Sequence, residues 1–319
     1  MFAVVGTVPD EDFPLVSGTV SMDDTRICIQ GHSVSVNRGT PALLAAAVKT
    51  CETLNIDPPF GYLVGDIGKG TGSRRLYETL AEQLASFDFG PGDPQSETGT
   101  GFNVLAFHYL QPDVDWHNRI LMAMEKMRNR PVLIADAGFM YAAKMSGFAA
   151  EYDLFTPDAG ELAFLADEAA PHPFYTRGFI LHEENRIPEL IARACEHENA
   201  ARCLLVKGKT DYVAKGKQIH ATIDSPLEGA MEAMGGTGDT LVGIVTALIG
   251  TGLSVTKAAT LAAKVNRWAG HYARPTPATQ VIEIIGQIPR AFARVIRESE
   301  IGDIWTTPLH RVDTKFPRT

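Results

Sequence analysis

Cysteine is scarce in this chain. Its 319 residues include four, Cys28, Cys51, Cys195 and Cys203, and no two stand in Cys-x-x-Cys spacing. That pattern argues against a disulfide frame and a thiolate zinc site, and it fits the reduced thiols of a cytoplasmic protein. The nine histidines contain no His-x-x-x-His pair, so the helical zinc motif is missing too. There is no block of Lys or Arg. With 29 basic against 38 acidic residues the formal charge is −9, and nothing resembles the basic stripe that a phosphate backbone demands, which argues against nucleic acid as a partner. No apolar run reaches membrane-spanning length. Met1–Gly6 is apolar but lacks a basic region and a long hydrophobic stretch, so it does not read as a signal peptide.

What is present suits a large α/β core. Hydrophobic residues make up 45% of the chain and charged residues 21%, enough for one big domain or two smaller ones. Short β-like runs alternate with helical runs, which predicts a mostly parallel sheet covered on both faces. Candidate strands are Arg26–Gln30, Gly61–Val64, Asn103–Phe107, Pro131–Ala135, Asp153–Phe155 and Arg202–Val206, with a hairpin of Tyr212–Ala214 and Gln218–Thr222. Candidate helices are Pro41–Leu54 (with Thr40 as its cap), Arg74–Ser86, Trp116–Met127, Asp158–Ala166, Ile187–Glu198, Asp239–Ile249, Val255–Ala273 and Thr279–Arg297. No linker composition appears, so residues 1–299 read as a single domain and 300–319 as a C-terminal tail. Gly90–Gly101 reads as a mobile surface loop. Ala169–Phe179 reads as a lid or a subunit contact.

The most informative segment is Met234-Gly235-Gly236-Thr237-Gly238-Asp239-Thr240-Leu241-Val242-Gly243. Glycine lets the backbone approach another group closely. The amides at the start of a helix point outward unpaired, where the dipole favours negative charge, so this turn suits a phosphate oxyanion. Asp239 follows at once as a carboxylate. Donors for a moving phosphoryl group beside a base for a hydroxyl proton are what phosphoryl transfer to an alcohol needs. The same letters also suit an ordinary N-cap, and the two readings are compatible.

Other residues stand at strand ends, where open α/β sheets bind ligands. Lys207 ends an apolar run before Gly208, and reads either as a phosphate contact or as a solvated lysine at a turn. Asp136 follows Val132–Ala135 and reads as a substrate-facing carboxylate or a cap. Asp158 and Glu161 form an Asp-x-x-Glu capping box, and Glu161 is also a candidate magnesium ligand. His108 and Tyr109 follow Asn103–Phe107 and line the crevice or pack. Asn37 and Gly39 precede a helix on the expected substrate side, and Asn266 lies on a C-terminal helix near the expected nucleotide edge. The Gly-rich turn from Asp66 to Arg75 lacks Gly-Lys-Ser/Thr and is not a Walker loop. It reads as a flexible turn capped by Ser73, or as a second anion site if the substrate is a dinucleotide.

Gly236-Thr237-Gly238-Asp239 resembles the Gly-x-Gly-Asp signature of the ribokinase-like superfamily. With Leu241 and Gly243 the string is most similar to the ADP/ATP-dependent NAD(P)H-hydrate dehydratase (carbohydrate kinase-related) family. Thr156-Pro157-Asp158-Ala159-Gly160-Glu161-Leu162 resembles that family's Thr-Pro-His-x-Gly-Glu segment, Leu205–Lys209 its apolar-Lys-Gly strand end, and Asp136 the first aspartate of its Asp-Ala-Asp element. The order and spacing fit across about residues 130–275. The resemblance departs at Asp158, where the family has His, and at Gly138, where it has the second Asp.

The resemblance implies a ribokinase-like three-layer α/β/α sandwich, ATP or ADP with Mg²⁺, and a small-molecule substrate in a protein that is a homo-oligomer. It implies Asp239 as catalytic base, with Gly236, Thr237 and Gly238 as the anion hole. Lys207, Gly208, Gly235 and Asn266 then face the nucleotide, Asn37, Gly39, Asp136, His108 and Asp158 the substrate, and Glu161 the metal. The implied activity is nucleotide-dependent dehydration of hydrated NAD(P)H, by phosphorylation of a hydroxyl followed by phosphate elimination. The alternative is a small-molecule kinase acting on a hydroxymethyl heterocycle or sugar. A catalytically dead nucleotide-binding protein is a third reading, against which Asp239 argues.

Overall fold

The computed structural model describes residues 1–85, 101–125, 127, 129–177, 186–276 and 278–298. The expected tail 300–319 and most of the expected Gly90–Gly101 loop lie outside the described residues, as do the last two residues of Ala169–Phe179.

The strand Phe2–Val8 (β1) is buried along its whole length. Such a strand must have neighbours on both edges and cover on both faces. Its edges pair in parallel with Phe60–Gly65 (β6) and Val104–His108 (β7). Val132–Ala135 (β8), Leu154–Phe155 (β9) and Cys203–Val206 (β10) extend the parallel run. Antiparallel strands close both ends: Asp211–Lys215 (β11) and Gln218–Ile223 (β12) at one, Val16–Thr19 (β2) at the other. The order across this nine-stranded sheet is β12-β11-β10-β9-β8-β7-β1-β6-β2. One face is covered by the helices Thr40–Leu54, Thr237–Gly250, Val255–Ala273, Val281–Ile285 and Ile288–Glu298, and the other by Thr71–Ala85, Val114–Glu125, Ala137–Met145, Ala159–Ala166 and Ile187–Glu196. This is the expected three-layer sandwich with a mostly parallel sheet.

Three expectations change. Arg26–Ile29 forms a strand (β4), but in a separate antiparallel sheet with Ser21–Asp23 (β3) and His32–Ser35 (β5). Thr279–Arg297 is two helices, broken around Gly286. Thr40 does not cap its helix. Gly39 stands at the N-cap with φ 69°, and the Thr40 hydroxyl turns to the His108 ring instead.

Two helices set the position of the glycine-rich turn. Thr40–Leu54 and Thr237–Gly250 cross so closely at Gly243 that a Cβ there would stand 2.1 Å from the Leu43 carbonyl oxygen. This approach brings the two helix starts together. Gly243→Ala forces the backbones apart and is expected to cost about 1–3 kcal/mol, the usual range for overpacking. A urea melt should show a lower midpoint at unchanged slope. An unaltered midpoint would show that the crossing is looser than the geometry requires.

Candidate active site

The C-terminal ends of β7, β8 and β10 carry His108, Asp136 and Lys207 to one edge of the sheet. The two glycine-led helices bring Gly39 and Asp239 to the same place. Asp239 sits in the first turn of Thr237–Gly250. The Gly39 amide donates to its Oδ2 at 2.5 Å, and His108 Nε2 lies 3.2 Å from its Oδ1. The same Nε2 lies 3.3 Å from Asp136 Oδ2, while Nδ1 lies 3.0 Å from the Thr40 hydroxyl. Asp136 Oδ1 accepts from Lys207 Nζ at 2.8 Å and from the Thr156 hydroxyl at 2.6 Å.

This is a buried charge network. His108 has no exposed surface and Asp136 is 3% exposed. Burial opposes the charged form of His108, but its hydrogen bonds to Asp136 and Asp239 outweigh burial and raise its pKa. Burial likewise opposes the Asp136 carboxylate, yet Lys207 and His108 hold it well below the usual carboxylate range. Lys207 is held above the ordinary lysine range, because the neighbouring carboxylates overcome its desolvation. His108, Asp136 and Asp239 are close enough to share a cation. Their 3.2–3.3 Å spacing is that of an imidazole N–H shared between two carboxylates, with Lys207 already on one of them.

Around Asp239 the surface opens. Asn37 and Gly235 are exposed, and Gly39, Gly236, Thr237 and Gly238 are partly so. Gly236 is left-handed at φ 96°, and no side chain caps the helix it starts. A Cβ on Gly238 would stand 3.4 Å from Lys207 Cδ and 3.8 Å from its Nζ. A lysine ammonium therefore lies beside uncapped helix-start amides, an arrangement fitted to a phosphate anion. Lys207 is not the solvated turn lysine that the sequence alone allowed, since its side chain is 15% exposed.

Glu161 and Asp158 form the expected capping box at the start of Ala159–Ala166. Glu161 also accepts from the Tyr141 hydroxyl at 2.7 Å. Burial pushes its carboxyl up to about 7, with Lys207 opposing and Asp136 and Asp158 adding. Both of its oxygens thus accept hydrogen bonds, one from Tyr141 and one from the Asp158 amide.

Several of the expected contact residues are engaged within the protein. His108 and Asp136 are buried beside Asp239 and brace it. Asn266 is buried as well. Its Oδ1 accepts from the Thr240 hydroxyl at 2.6 Å and its Nδ2 donates to the Thr237 carbonyl at 3.1 Å, so it secures the first turn of the Asp239 helix. Gly208 is tied inward, its amide donating to Asp211 and its carbonyl accepting from Arg267.

The turn after β6 is not capped by Ser73 alone. One buried carboxylate, Asp66, accepts from the amides of Gly68, Gly70 and Ser73 and from the Ser73 hydroxyl, all at 2.9–3.0 Å. The amides of Gly68, Gly70 and Ser73 are therefore taken by the loop's own side chain, which supports the turn reading over the second anion site. The local signal was Asp66 itself, an acid leading a run of small residues. A cavity of about 320 Å³ opens beside this loop, lined among others by Lys69, Arg74, Tyr77 and Gln111. Neither Asp239 nor Lys207 lines it.

The sheet order and the flanking helix layers define the ribokinase-like class. A phosphofructokinase-2 structure from Escherichia coli, in complex with potassium, is similar over 92% of this chain and 100% of that chain at 11% identity and TM-score 0.52. A ribokinase-like superfamily protein from Enterococcus faecalis V583 is similar over 92% and 87% at 13% identity and TM-score 0.52. These two likenesses show the fold alone. The chain itself belongs to the carbohydrate-kinase family described as NAD(P)H-hydrate dehydratase, whose model matches residues 111–290. An uncharacterized protein of Methanocaldococcus jannaschii is 36% identical over 256 residues, covering 80% of this chain and 100% of that one. Among the described residues no helix is long and apolar enough to cross a membrane.

Two measurements test this geometry. Lys207→Met and Asp136→Asn each leave a buried partner uncompensated and are expected to cost about 3–5 kcal/mol. The double variant should cost clearly less than the sum in a denaturation cycle, and strict additivity would dissolve the pair. For Asp66, burial opposes the charge but the donors from Ser73, Gly70 and Gly68 lower its pKa. Its stabilisation is therefore present above the ordinary carboxylate pKa and is lost as pH falls through the depressed one. Asp66→Asn should cost about 1–3 kcal/mol at neutral pH. The gap to wild type should close in acid, and a pH-independent gap would refute the charge-based account.

Proposed function

We propose that the protein is a nucleotide-dependent NAD(P)H-hydrate dehydratase. One observation carries the reading: a carboxylate, uncapped helix-start amides and a buried lysine meet at a partly exposed edge of the sheet. Membership of the family supplies the substrate class.

In this reading Asp239 takes the proton from the ring hydroxyl of the hydrated dihydronicotinamide. The oxygen attacks the terminal phosphorus of ATP or ADP, and the shortened nucleotide leaves. The amides of Gly236, Thr237 and Gly238, with Lys207, stabilise the moving phosphoryl group. The C–O bond then breaks, the phosphate departs with the electron pair, and loss of a ring proton restores the dihydronicotinamide double bond. Glu161 would hold Mg²⁺ or its waters, and the ion would neutralise phosphate oxygens. Gly39 and His108 orient the base from both of its oxygens.

The test is direct. Protein, ATP or ADP, Mg²⁺ and hydrated NADH should restore the dihydronicotinamide absorbance with stoichiometric phosphate release. A stable phosphorylated product from a hydroxymethyl heterocycle or sugar, with no absorbance recovery, would identify a kinase instead. Asp239→Asn should lower turnover by about 10²–10⁴ while nucleotide affinity changes little. Full turnover in that variant would remove Asp239 from the base role.

A further inference from the structure

We propose that Tyr109 is a stacking platform for the nicotinamide-derived ring of the acceptor beside Asp239, packing on the conjugated enamide face that stays flat in the hydrated form and in NADH alike. This rests on the dehydratase reading for its substrate class and goes beyond it in assigning the ring a place.

Tyr109 follows His108 directly and has φ 54°. A bulky residue in the left-handed region is an outlier, and such strain persists only where the surroundings enforce it. Here the Thr7 hydroxyl donates to the Tyr109 carbonyl at 2.7 Å and pins the turn. The tyrosine ring meets the His108 ring edge-on, with centroids 4.5 Å apart and planes at 83°. Two of its carbons lie 3.9–4.0 Å from where a Cβ on Gly39 would stand, and Gly39 is the residue whose amide holds Asp239. The ring is thus fixed against both groups that brace the base.

Despite these contacts Tyr109 is 48% exposed, while His108, Asp136 and Asp239 beside it are buried. Its phenol is pushed up to about 12 by burial, then by Asp239 and Asp136. The open surface near Asp239 mixes backbone from Gly39, Gly235 and Gly236 with the polar side chains of Asn37, Arg38 and Thr237. A conjugated heterocycle calls for an exposed aromatic face with open space above it, and Tyr109 supplies such a face there.

The experiment compares NADH with ADP-ribose, the same dinucleotide without the ring. The full chain is saturated with ADP and Mg²⁺, and each probe is titrated by calorimetry. Wild type should bind NADH about tenfold more tightly than ADP-ribose, the scale of one aromatic stack. Tyr109→Phe should keep that ratio. Tyr109→Leu should bring it near one while ADP-ribose and ADP affinities stay within about twofold, a split that a merely structural role would not produce. Tyr109→Asn, a residue that tolerates this φ, should give the same result without the backbone strain. A wild-type ratio of one, or an undiminished ratio in both ring-less variants, overturns the platform. Turnover of hydrated NADH on the same samples is read separately. Ring-selective binding without turnover keeps the platform and removes the dehydratase reading, and turnover with ring-blind binding does the reverse.

Discussion

Two buried carboxylates, Asp136 and Asp239, meet one imidazole that has no exposed surface. Neither could stay charged there alone, because burying an unpaired carboxylate costs far more than a folded domain has to spare. His108 lies within hydrogen-bond distance of both, Lys207 and Thr156 complete Asp136, and the Gly39 amide completes Asp239. The groups of this network come from four strand ends and two helix starts. Shifting any one of them would leave a buried charge without its partner. Electrostatic compensation therefore fixes the register between sheet and helices at this edge. The close crossing at Gly243 gives the same arrangement a steric origin, since the two helix starts can meet only if no side chain separates their axes.

The same network explains why the base is oriented before any substrate arrives. Both oxygens of Asp239 are held, one by a backbone amide and one by a ring that is itself tied to Thr40. A carboxylate fixed in this way needs no reorganisation when a hydroxyl comes within reach. Lys207 serves two ends at once. Its ammonium neutralises Asp136, and its stem runs along Gly238, within van der Waals reach of where a Cβ there would stand.

What the sequence made legible was local. Gly236 to Asp239 are adjacent in the chain, so their chemistry could be read from spacing, and the Asp158–Glu161 box likewise. The partnership of His108 with Asp239 spans 131 positions and leaves no local trace. For that reason the expectation for His108 and Asp136 named a substrate contact and not their contact with each other and, through His108, with the base. The alternation of strands and helices gave the layered fold, but not β1, whose seven buried residues show no polar alternation. Arg26–Ile29 reads as a strand by composition, and composition cannot say which sheet it joins. Asn266 was placed near the nucleotide by its helix. Its two hydrogen bonds inside the first turn of Thr237–Gly250 depend on how the helices pack.

The two departures from the family pattern have unequal physical weight. Asp158 lies at an exposed N-cap, where another residue could stand without disturbing the core. Gly138 is different. A Cβ there would stand 2.0 Å from the Leu110 carbonyl oxygen, so no aspartate fits without moving the strand-end segment His108–Leu110. That segment also carries Tyr109 in its strained conformation. The backbone that fills the place of a second carboxylate is therefore the backbone that presents an aromatic ring. A carboxylate at position 138 would displace the same segment and, with it, the Tyr109 ring. The phosphoryl-transfer side keeps its glycines, lysine and aspartate, so the departure at Gly138 bears on the acceptor side alone.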